Sequence, residues 1–194
     1  GGCPTLWFSG DELPKNLLHQ TLQNQVLISI RAPGVMNIPP QMKYEMKAQI
    51  DRVIDTVRRL KKCEPIILCH DQRDIGFANS FTGIRSYYTS DVYEYLALLN
   101  AAQVVISTRI HATLPCLAMG TNVVNLSYDE RALSLMESIG FGDWDINMVS
   151  DWNRLNEMVV DRLQRLEALQ GLKNESSVRW RELNEAQVYA LSIF

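Results

Sequence analysis

Several features are missing from this sequence of 194 residues, and each absence excludes a class of protein. No apolar run reaches the roughly 18 residues that a helix needs to cross a bilayer. The first residues lack the basic region and long apolar stretch of a secretory signal peptide. The net charge is −3, and Lys and Arg are spread along the chain without the basic patch of a nucleic-acid surface. We therefore expect no membrane span and no nucleic-acid partner.

Familiar nucleotide and zinc motifs are absent as well. The sequence contains no Walker loop and no Gly-x-Gly-x-x-Gly segment. Its cysteines, Cys3, Cys63, Cys69 and Cys116, have the spacing of neither a zinc ribbon nor a zinc finger. Cys69 and Cys116 lie in apolar segments, so we expect buried thiols in a reducing cytoplasm and no bound metal. A metal held by Cys63, Cys69 and His70 is the alternative.

What the sequence does have is an alternation of apolar and helix-like segments, with an apolar fraction of 46% that is enough for a core. Short apolar runs predict strands at residues 26–30, 65–69, 103–106 and 122–126. Helical patterns predict helices at residues 40–60, 74–81, 92–101, 109–119 and 129–140. This alternation is typical of an α/β fold, a Rossmann-like parallel sheet with helices on both faces.

The C-terminal part has a different pattern. An apolar stripe of helical spacing extends from residue 151 to residue 170, Gly171 interrupts it, and a last helix is predicted at 174–191. We therefore divide the chain into a Rossmann-like domain at 1–150 and a helical extension at 151–194. The extension is expected to pack on that domain or on a partner domain.

The residues that follow the third predicted strand are the strongest functional candidates, because ligands of parallel sheets bind at the carboxyl ends of strands. Ser107 and Thr108 end this strand, and Arg109 and His111 lie on the first turn of the next helix. A helix N-terminus favours an anion, and a guanidinium can bind a phosphate or carboxylate at two points. Histidine can exchange a proton near neutral pH. We therefore predict an anion site in which Thr108 and Arg109 bind the ligand and His111 is catalytic.

Residues after the other strands are further candidates for binding the same ligand. Arg31 follows the first strand, and a surface ion pair is its alternative role. His70 follows the second strand, where it could contact a ligand or bond to a nearby carboxylate. Ser127 and Tyr128 follow the fourth strand, and Arg131 lies on the helix after it, either at the ligand or as an outward charge.

Together these segments resemble the signature of the polysaccharide pyruvyl transferase family. That family has an Arg-Leu-His-Ala segment, a turn with Gly, and a Ser-Tyr-Asp-x-Lys segment; the matching segments here are 107–112, 117–120 and 125–129. Residues 2–6 resemble a Gly-Cys-Pro stretch of the family, and Arg31 matches a strand-end Arg. Ile110 stands in place of Leu, and Arg131 stands where the family often has Lys. The resemblance covers roughly residues 1–150.

The resemblance implies an enzyme that transfers pyruvate from phosphoenolpyruvate, as a ketal, to a sugar of a surface polysaccharide (an exopolysaccharide) or its lipid-linked precursor. The implied fold is the C-terminal half of a GT-B glycosyltransferase, with an N-terminal half-domain outside this chain. In this family the C-terminal half of the enzyme provides most of the donor site, including the Arg and His of the signature. The resemblance therefore implies that residues 1–150 are a donor-binding domain. The enzyme would need no cofactor besides its donor substrate, and it would be cytoplasmic, meeting the membrane only through the lipid of its acceptor.

On this interpretation Arg31 and Arg109 bind the phosphate and carboxylate of the donor, and His111 acts as general acid or general base. Two other functions stay open. A nucleotide-sugar glycosyltransferase has the same architecture, and Glu130 or Glu137 could bind its ribose. A non-catalytic module of the same fold is the other, although the intact pair of Arg109 and His111 argues against it.

Overall fold

The computed structural model describes residues 4–7, 10–13 and 24–192, so the start of the Gly-Cys-Pro segment lies outside the described residues. Within them, six strands form one parallel sheet in the order β3-β2-β1-β4-β5-β6. The strands are β1 (Val26–Ser29), β2 (Ile66–Cys69), β3 (Arg85–Tyr88), β4 (Val104–Ser107), β5 (Val123–Ser127) and β6 (Ile146–Asn147). This order makes the connections run outward in both directions from the central pair, β1 and β4.

The helices that connect and follow the strands are α1 (Pro40–Lys61), α2 (Gln72–Ala78), α3 (Val92–Ala101), α4 (Ile110–Met119), α5 (Glu130–Ser138), α6 (Leu155–Gln164) and α7 (Leu166–Ser192). Side chains that alternate along the strands enter two separate cores. Ile28 of β1 packs in one core with Ile50 of α1. Leu27 of the same strand packs in the other with Leu98 of α3 and Leu117 of α4. Helices therefore cover both faces of the sheet, and the predicted α/β fold is confirmed.

The helix ends follow from local sequence. The carboxylates of Asp91 and Asp129 accept backbone N–H groups at the starts of α3 and α5, as N-cap residues do. Gly140 follows the end of α5 with a φ of +88°, a left-handed conformation that favours glycine. A Cβ at this position would lie only 2.5 Å from Oγ of Ser176 in α7. Gly140 therefore fixes both the end of α5 and the close approach of α7.

Two strands were not predicted, β3 and β6. The segment of β3 is Arg85-Ser86-Tyr87-Tyr88, and its side chains are exposed or half-buried because it is an edge strand. It lacks the continuous apolar run on which the other strand predictions rest. β6 has two residues, too few to produce a period. The helix predicted at 74–81 begins earlier, at Gln72, because Asp71 caps it.

The predicted interruption at Gly171 is wrong. Helix α7 runs through this glycine, and the break lies at Arg165, between α6 and α7. An internal glycine costs a helix roughly 1 kcal/mol, and tertiary packing outweighs this cost. Leu169 before the glycine is buried, and Trp180 after it donates to the Ile139 carbonyl at 2.9 Å. None of the described helices is long and apolar enough to cross a membrane.

Candidate functional site

The site begins where β1 and β4 lie side by side at the centre of the sheet. Ser29 pairs with Ser107, so both strands end at the same level. The Thr108 N–H donates to the Ser29 carbonyl at 3.0 Å, and the Arg31 N–H donates to Thr108 Oγ1 at 2.9 Å. The connections diverge here, and open α/β sheets bind their ligands at such a switch point. The segments with Arg31 and Arg109 therefore leave the sheet next to each other.

A buried carboxylate joins these two segments. Asp74, on the first turn of α2, accepts the Ala32 N–H at 2.9 Å through Oδ1 and pairs with the Arg109 guanidinium through Oδ2. The side chains of Asp74 and Arg109 are only 1% and 10% exposed. The ion pair therefore fixes the orientation of Arg109 and offsets part of its charge. Sequence reasoning placed Asp74 in a helix and assigned it no role.

Six of the eight predicted site residues line one small pocket of about 70 Å³, here named the arginine pocket: Arg31, Thr108, Arg109, His111, Tyr128 and Arg131. Nη1 of Arg31 donates to the Tyr128 hydroxyl at 3.0 Å. The Nε atoms of Arg31 and Arg109 are buried and have no hydrogen-bond partner among the described residues. The pocket thus combines cationic side chains with the first turn of α4, an arrangement suited to an anion.

The remaining two predicted residues lie elsewhere. Ser127 is buried beside the arginine pocket without lining it, and its Oγ accepts from Asn125 Nδ2 at 2.9 Å. His70 lines a second pocket of about 400 Å³, here named the histidine pocket, whose wall includes Tyr88, Asp91, Tyr95 and His111. The structure therefore does not place His70 or Ser127 among the residues that line the arginine pocket.

His111 belongs to both pockets and is exposed to solvent. Its ring stacks on that of His70 with centroids 6.4 Å apart, and His70 meets the Tyr95 ring edge-on at 5.0 Å. Burial lowers the pKa of His70, and the charges of Arg109 and His111 lower it further. His70 is therefore a neutral imidazole near neutral pH, and His111 lies between the two pockets.

A buried polar network supports the first turn of α4. Thr113 bonds through Oγ1 to Asn125 Oδ1, and its N–H donates to the Arg109 carbonyl at 3.0 Å. Nδ2 of Asn125 donates to Asp145 Oδ1 at 2.7 Å. Burial raises the pKa of Asp145 to about 6, although bonds from Ser127 and Asn125 oppose the shift. The network connects β5 and the residue before β6 to the segment that carries Arg109.

A third pocket of about 590 Å³ lies beside the arginine pocket at the carboxyl ends of β5 and β6. Tyr128 and Arg131 line both pockets, and Glu130, Asn147 and Ser150 line the third one. This space adjoins the arginine pocket and is large enough for a small ligand.

The described residues contain no group of three or more His, Cys, Asp or Glu side chains that could hold a metal ion. Cys69 is buried in the core at the end of β2, and burial raises the pKa of its thiol to about 11. A metal site built from Cys63, Cys69 and His70 therefore has no support in the geometry.

Comparison with known proteins identifies both a family and a fold. The sequence model of the polysaccharide pyruvyl transferase family matches residues 1–130. A putative UDP-N-acetylglucosamine 2-epimerase from Listeria monocytogenes superimposes with a TM-score of 0.55 and 11% identity over 84% of this chain. An O-GlcNAc transferase mutant from Thermobaculum terrenum does so with a TM-score of 0.50 and 18% identity over 81% of it.

This chain covers 44% of the epimerase chain and 31% of the O-GlcNAc transferase chain, less than half of either. These likenesses show the fold, a Rossmann-like unit of the kind found in GT-B glycosyltransferases. No protein of curated function matches the sequence significantly.

Proposed function

Because the chain belongs to the polysaccharide pyruvyl transferase family, we propose that it is the donor-binding half of a transferase whose donor is phosphoenolpyruvate. The observation that carries this proposal is the convergence of Arg31, Arg109 and His111 on one pocket at the switch point of the sheet. An anion-binding group and a proton-transferring group next to each other are what this reaction requires.

Phosphoenolpyruvate carries a phosphate and a carboxylate, so it needs more than one cationic contact. The arginine pocket has the volume of roughly two waters in the liquid, at about 30 Å³ each, and would enclose one anionic group rather than the whole donor. Arg31 and Arg109 would bind that group through their guanidinium N–H donors, and Thr108 and the α4 N-terminus would add further donors. Arg131 would approach the second anionic group from α5.

The rest of the donor would extend toward His111, the only histidine among the residues that line the arginine pocket. In the proposed reaction the methylene carbon of the donor gains a proton, and a sugar hydroxyl attacks the adjacent carbon. A second sugar hydroxyl then attacks the same carbon, and the bond between this carbon and the phosphate oxygen breaks. Phosphate leaves, both hydroxyl protons are released, and a cyclic pyruvate ketal remains. His111 would deliver the first proton or remove one from an attacking hydroxyl.

The acceptor is proposed to be a sugar of a surface polysaccharide or a lipid-linked oligosaccharide, processed in the cytoplasm at the membrane surface. An N-terminal half-domain would face the carboxyl edge of the sheet and close the cleft over the exposed His111. Tyr128 and Arg131 would then lie between the two halves. No metal or cofactor takes part in this scheme.

Calorimetry with phosphoenolpyruvate tests the donor site. Arg31→Ala should weaken binding about tenfold or more, because a charge-assisted contact contributes about 1.5–3 kcal/mol. Arg154→Ala is the matched control, since Arg154 is 70% exposed and pairs with an exposed glutamate outside the site. His111→Ala should preserve binding while lowering turnover of the enzyme with both halves about 10²- to 10⁴-fold. Equal affinity in the Arg31 variant, or unchanged turnover in the His111 variant, would contradict the proposal.

A nucleotide-sugar donor is the second candidate, and the third pocket is the observation that favours it. This pocket adjoins the arginine pocket, and Glu130 on its wall could bind a ribose hydroxyl. Calorimetry with UDP-N-acetylglucosamine beside phosphoenolpyruvate separates the two functions. We expect phosphoenolpyruvate to bind more tightly, and Glu130→Gln to leave its affinity unchanged. Tighter binding of the nucleotide sugar, weakened by Glu130→Gln, would replace the pyruvyl transferase proposal with a glycosyltransferase.

A further inference from the structure

We propose that the histidine pocket is a carbohydrate subsite that binds a neutral sugar ring of the acceptor. This inference rests on the proposed function, because a donor in the arginine pocket and a sugar in the histidine pocket would meet at His111, which lines both. A residue that transfers a proton between donor and acceptor must lie within reach of each.

The charge of the lining distinguishes the two pockets. Arg31, Arg109 and Arg131 line the arginine pocket, whereas neither Lys nor Arg is among the residues that line the histidine pocket. The carboxylate of Asp91 lies in the histidine pocket instead. A phosphate or carboxylate would meet neither a Lys nor an Arg side chain there, so the lining favours an uncharged, hydroxyl-bearing ligand.

The shape and chemistry of the pocket also fit a sugar. Its volume of about 400 Å³ is within the range of small-molecule sites. Aromatic rings of Tyr88 and Tyr95 and the apolar side chains of Val92 and Leu96 form part of the wall. A sugar ring has C–H faces that can pack on such a surface and hydroxyls around its edge. The polar groups that those hydroxyls need come from the segment between β3 and α3, which includes Asp91.

Two polar atoms of residues on this wall have no hydrogen-bond partner in the part of the chain that the structure describes. Nδ1 of His70 is buried and has no hydrogen-bond partner within the described ranges. Such an atom is costly unless something pairs with it, and a neutral imidazole can either donate to or accept from a hydroxyl. Asp91 uses Oδ1 to cap α3, accepting from Tyr93 and Glu94. Its Oδ2 is left to accept from a sugar hydroxyl.

Nuclear magnetic resonance of the ¹⁵N-labelled chain tests the subsite, with methyl glycosides of galactose, glucose and mannose as probes. We expect at least one glycoside to shift the amides of residues 88–92 and His70 at millimolar concentration, without shifting Arg31. Phosphoenolpyruvate should instead shift Arg31 and the residues around it. Uridine monophosphate serves as an anionic probe that also carries a sugar, and it should leave residues 88–92 unshifted.

A pair of variants adds a structural control. Val92 is 67% exposed at the pocket wall, so Val92→Trp can place an indole over the pocket without disturbing the core. Glycoside binding should weaken about tenfold or more, while phosphoenolpyruvate binding stays the same. Val178→Trp is the matched control, since Val178 is 56% exposed on α7 and lies outside the pocket. Asp91→Asn keeps the helix cap and should also weaken glycoside binding.

The outcomes separate this inference from the proposed function. No glycoside shift at residues 88–92, or larger shifts there with uridine monophosphate, would overturn the subsite. Glycoside shifts that Val92→Trp leaves unchanged would overturn it as well. Failure of phosphoenolpyruvate to bind while glycosides still shift these residues would refute the proposed donor but leave a carbohydrate site in place.

Discussion

Asp74 shows how much of the site depends on one residue outside the family signature. Its carboxylate bonds to the backbone after β1 and to the guanidinium after β4, so it connects two segments that are distant in sequence. A buried ion pair of this kind orients both side chains, but forming it costs the desolvation of two charges. Removing one partner strongly destabilises the protein, because the other charge is then buried without a partner. The site therefore depends on Asp74 even though the residue does not line the arginine pocket.

We predict that Asp74→Asn lowers the free energy of unfolding by about 3 kcal/mol or more, since the amide can still accept the Ala32 N–H but cannot compensate Arg109. Asp55→Asn is the matched control, because Asp55 is 73% exposed and pairs with Arg58 at the surface. That change should cost less than about 1 kcal/mol. Urea unfolding followed by circular dichroism measures both, and equal losses in the two variants would contradict the structural role of Asp74.

Asp145 should make the stability of the chain depend on pH. Its folded pKa of about 6 lies above the value of about 3.9 for an unfolded aspartate, so the folded chain holds this proton more tightly. The contribution of Asp145 to stability is therefore greatest below about pH 4, falls as the pH rises to about 6, and stays constant above that.

We predict that Asp145→Asn raises the free energy of unfolding near neutral pH by about 1–3 kcal/mol and has little effect at about pH 4. The amide retains an oxygen that can accept from Asn125 and from the Ile146 N–H. Urea unfolding of both proteins at the two pH values measures the difference. A stability difference of the same size at both would show that Asp145 does not titrate in this range.

At the scale of elements, two glycines differ in whether their position requires glycine: Gly140, after α5, and Gly171, inside α7. Gly140 has a left-handed conformation, and a Cβ at this position would lie too close to Ser176 of α7. Gly171 lies inside α7, where a Cβ would meet nothing within 4 Å. The first position requires glycine, and the second does not.

We predict that Gly140→Ala destabilises the chain by more than about 1 kcal/mol, and that Gly171→Ala stabilises it by roughly 0.5–1 kcal/mol. Adding Ser176→Ala should recover part of the loss at Gly140, because it removes the steric contact and leaves the backbone strain. Thermal and urea unfolding measure all three variants. Destabilisation by Gly171→Ala would show that α7 does not continue through this position.

The elements also show which patterns are readable in a sequence. β1, β2, β4 and β5 were predicted because strands buried on both faces are continuous apolar runs. β3 was not predicted because an edge strand is solvated on part of its surface and lacks a continuous apolar run. The segment after β3, which lines the histidine pocket, was therefore not identified as part of a site. The helix break predicted at Gly171 is wrong because local propensity does not include the packing of Leu169 and Trp180 on either side of it.

At the scale of the whole molecule, the C-terminal helices complete both cores. The buried residues of this part include Trp152, Leu155, Val159, Leu163 and Leu169. Burial of a side chain of this kind contributes about 1.5–3 kcal/mol, so together they are comparable with the whole net stability of a domain, about 5–15 kcal/mol. We propose that the extension at 151–194 packs on the Rossmann-like domain and belongs to the same cooperative unit.

We predict that a chain ending at residue 150 loses cooperative unfolding and binds a hydrophobic dye, because the α1 face that α6 covers would be exposed. The full chain should unfold in one transition that coincides by far-UV and near-UV circular dichroism. A truncated chain that unfolds cooperatively at the same urea concentration would place the domain boundary at residue 150 and make the extension a separate unit.

The sequence by itself determined the alternation of elements, the parallel sheet and the position of Arg31, Thr108, Arg109 and His111 at strand ends, because each of these depends on neighbouring residues and on the period of a single element. Only the tertiary structure decided that Asp74 pairs with Arg109, that His70 lines a second pocket rather than the arginine pocket, and that Ser127 is buried in a polar network. These contacts join residues far apart in the chain, and the order and register of the strands bring them together; no local pattern encodes that order.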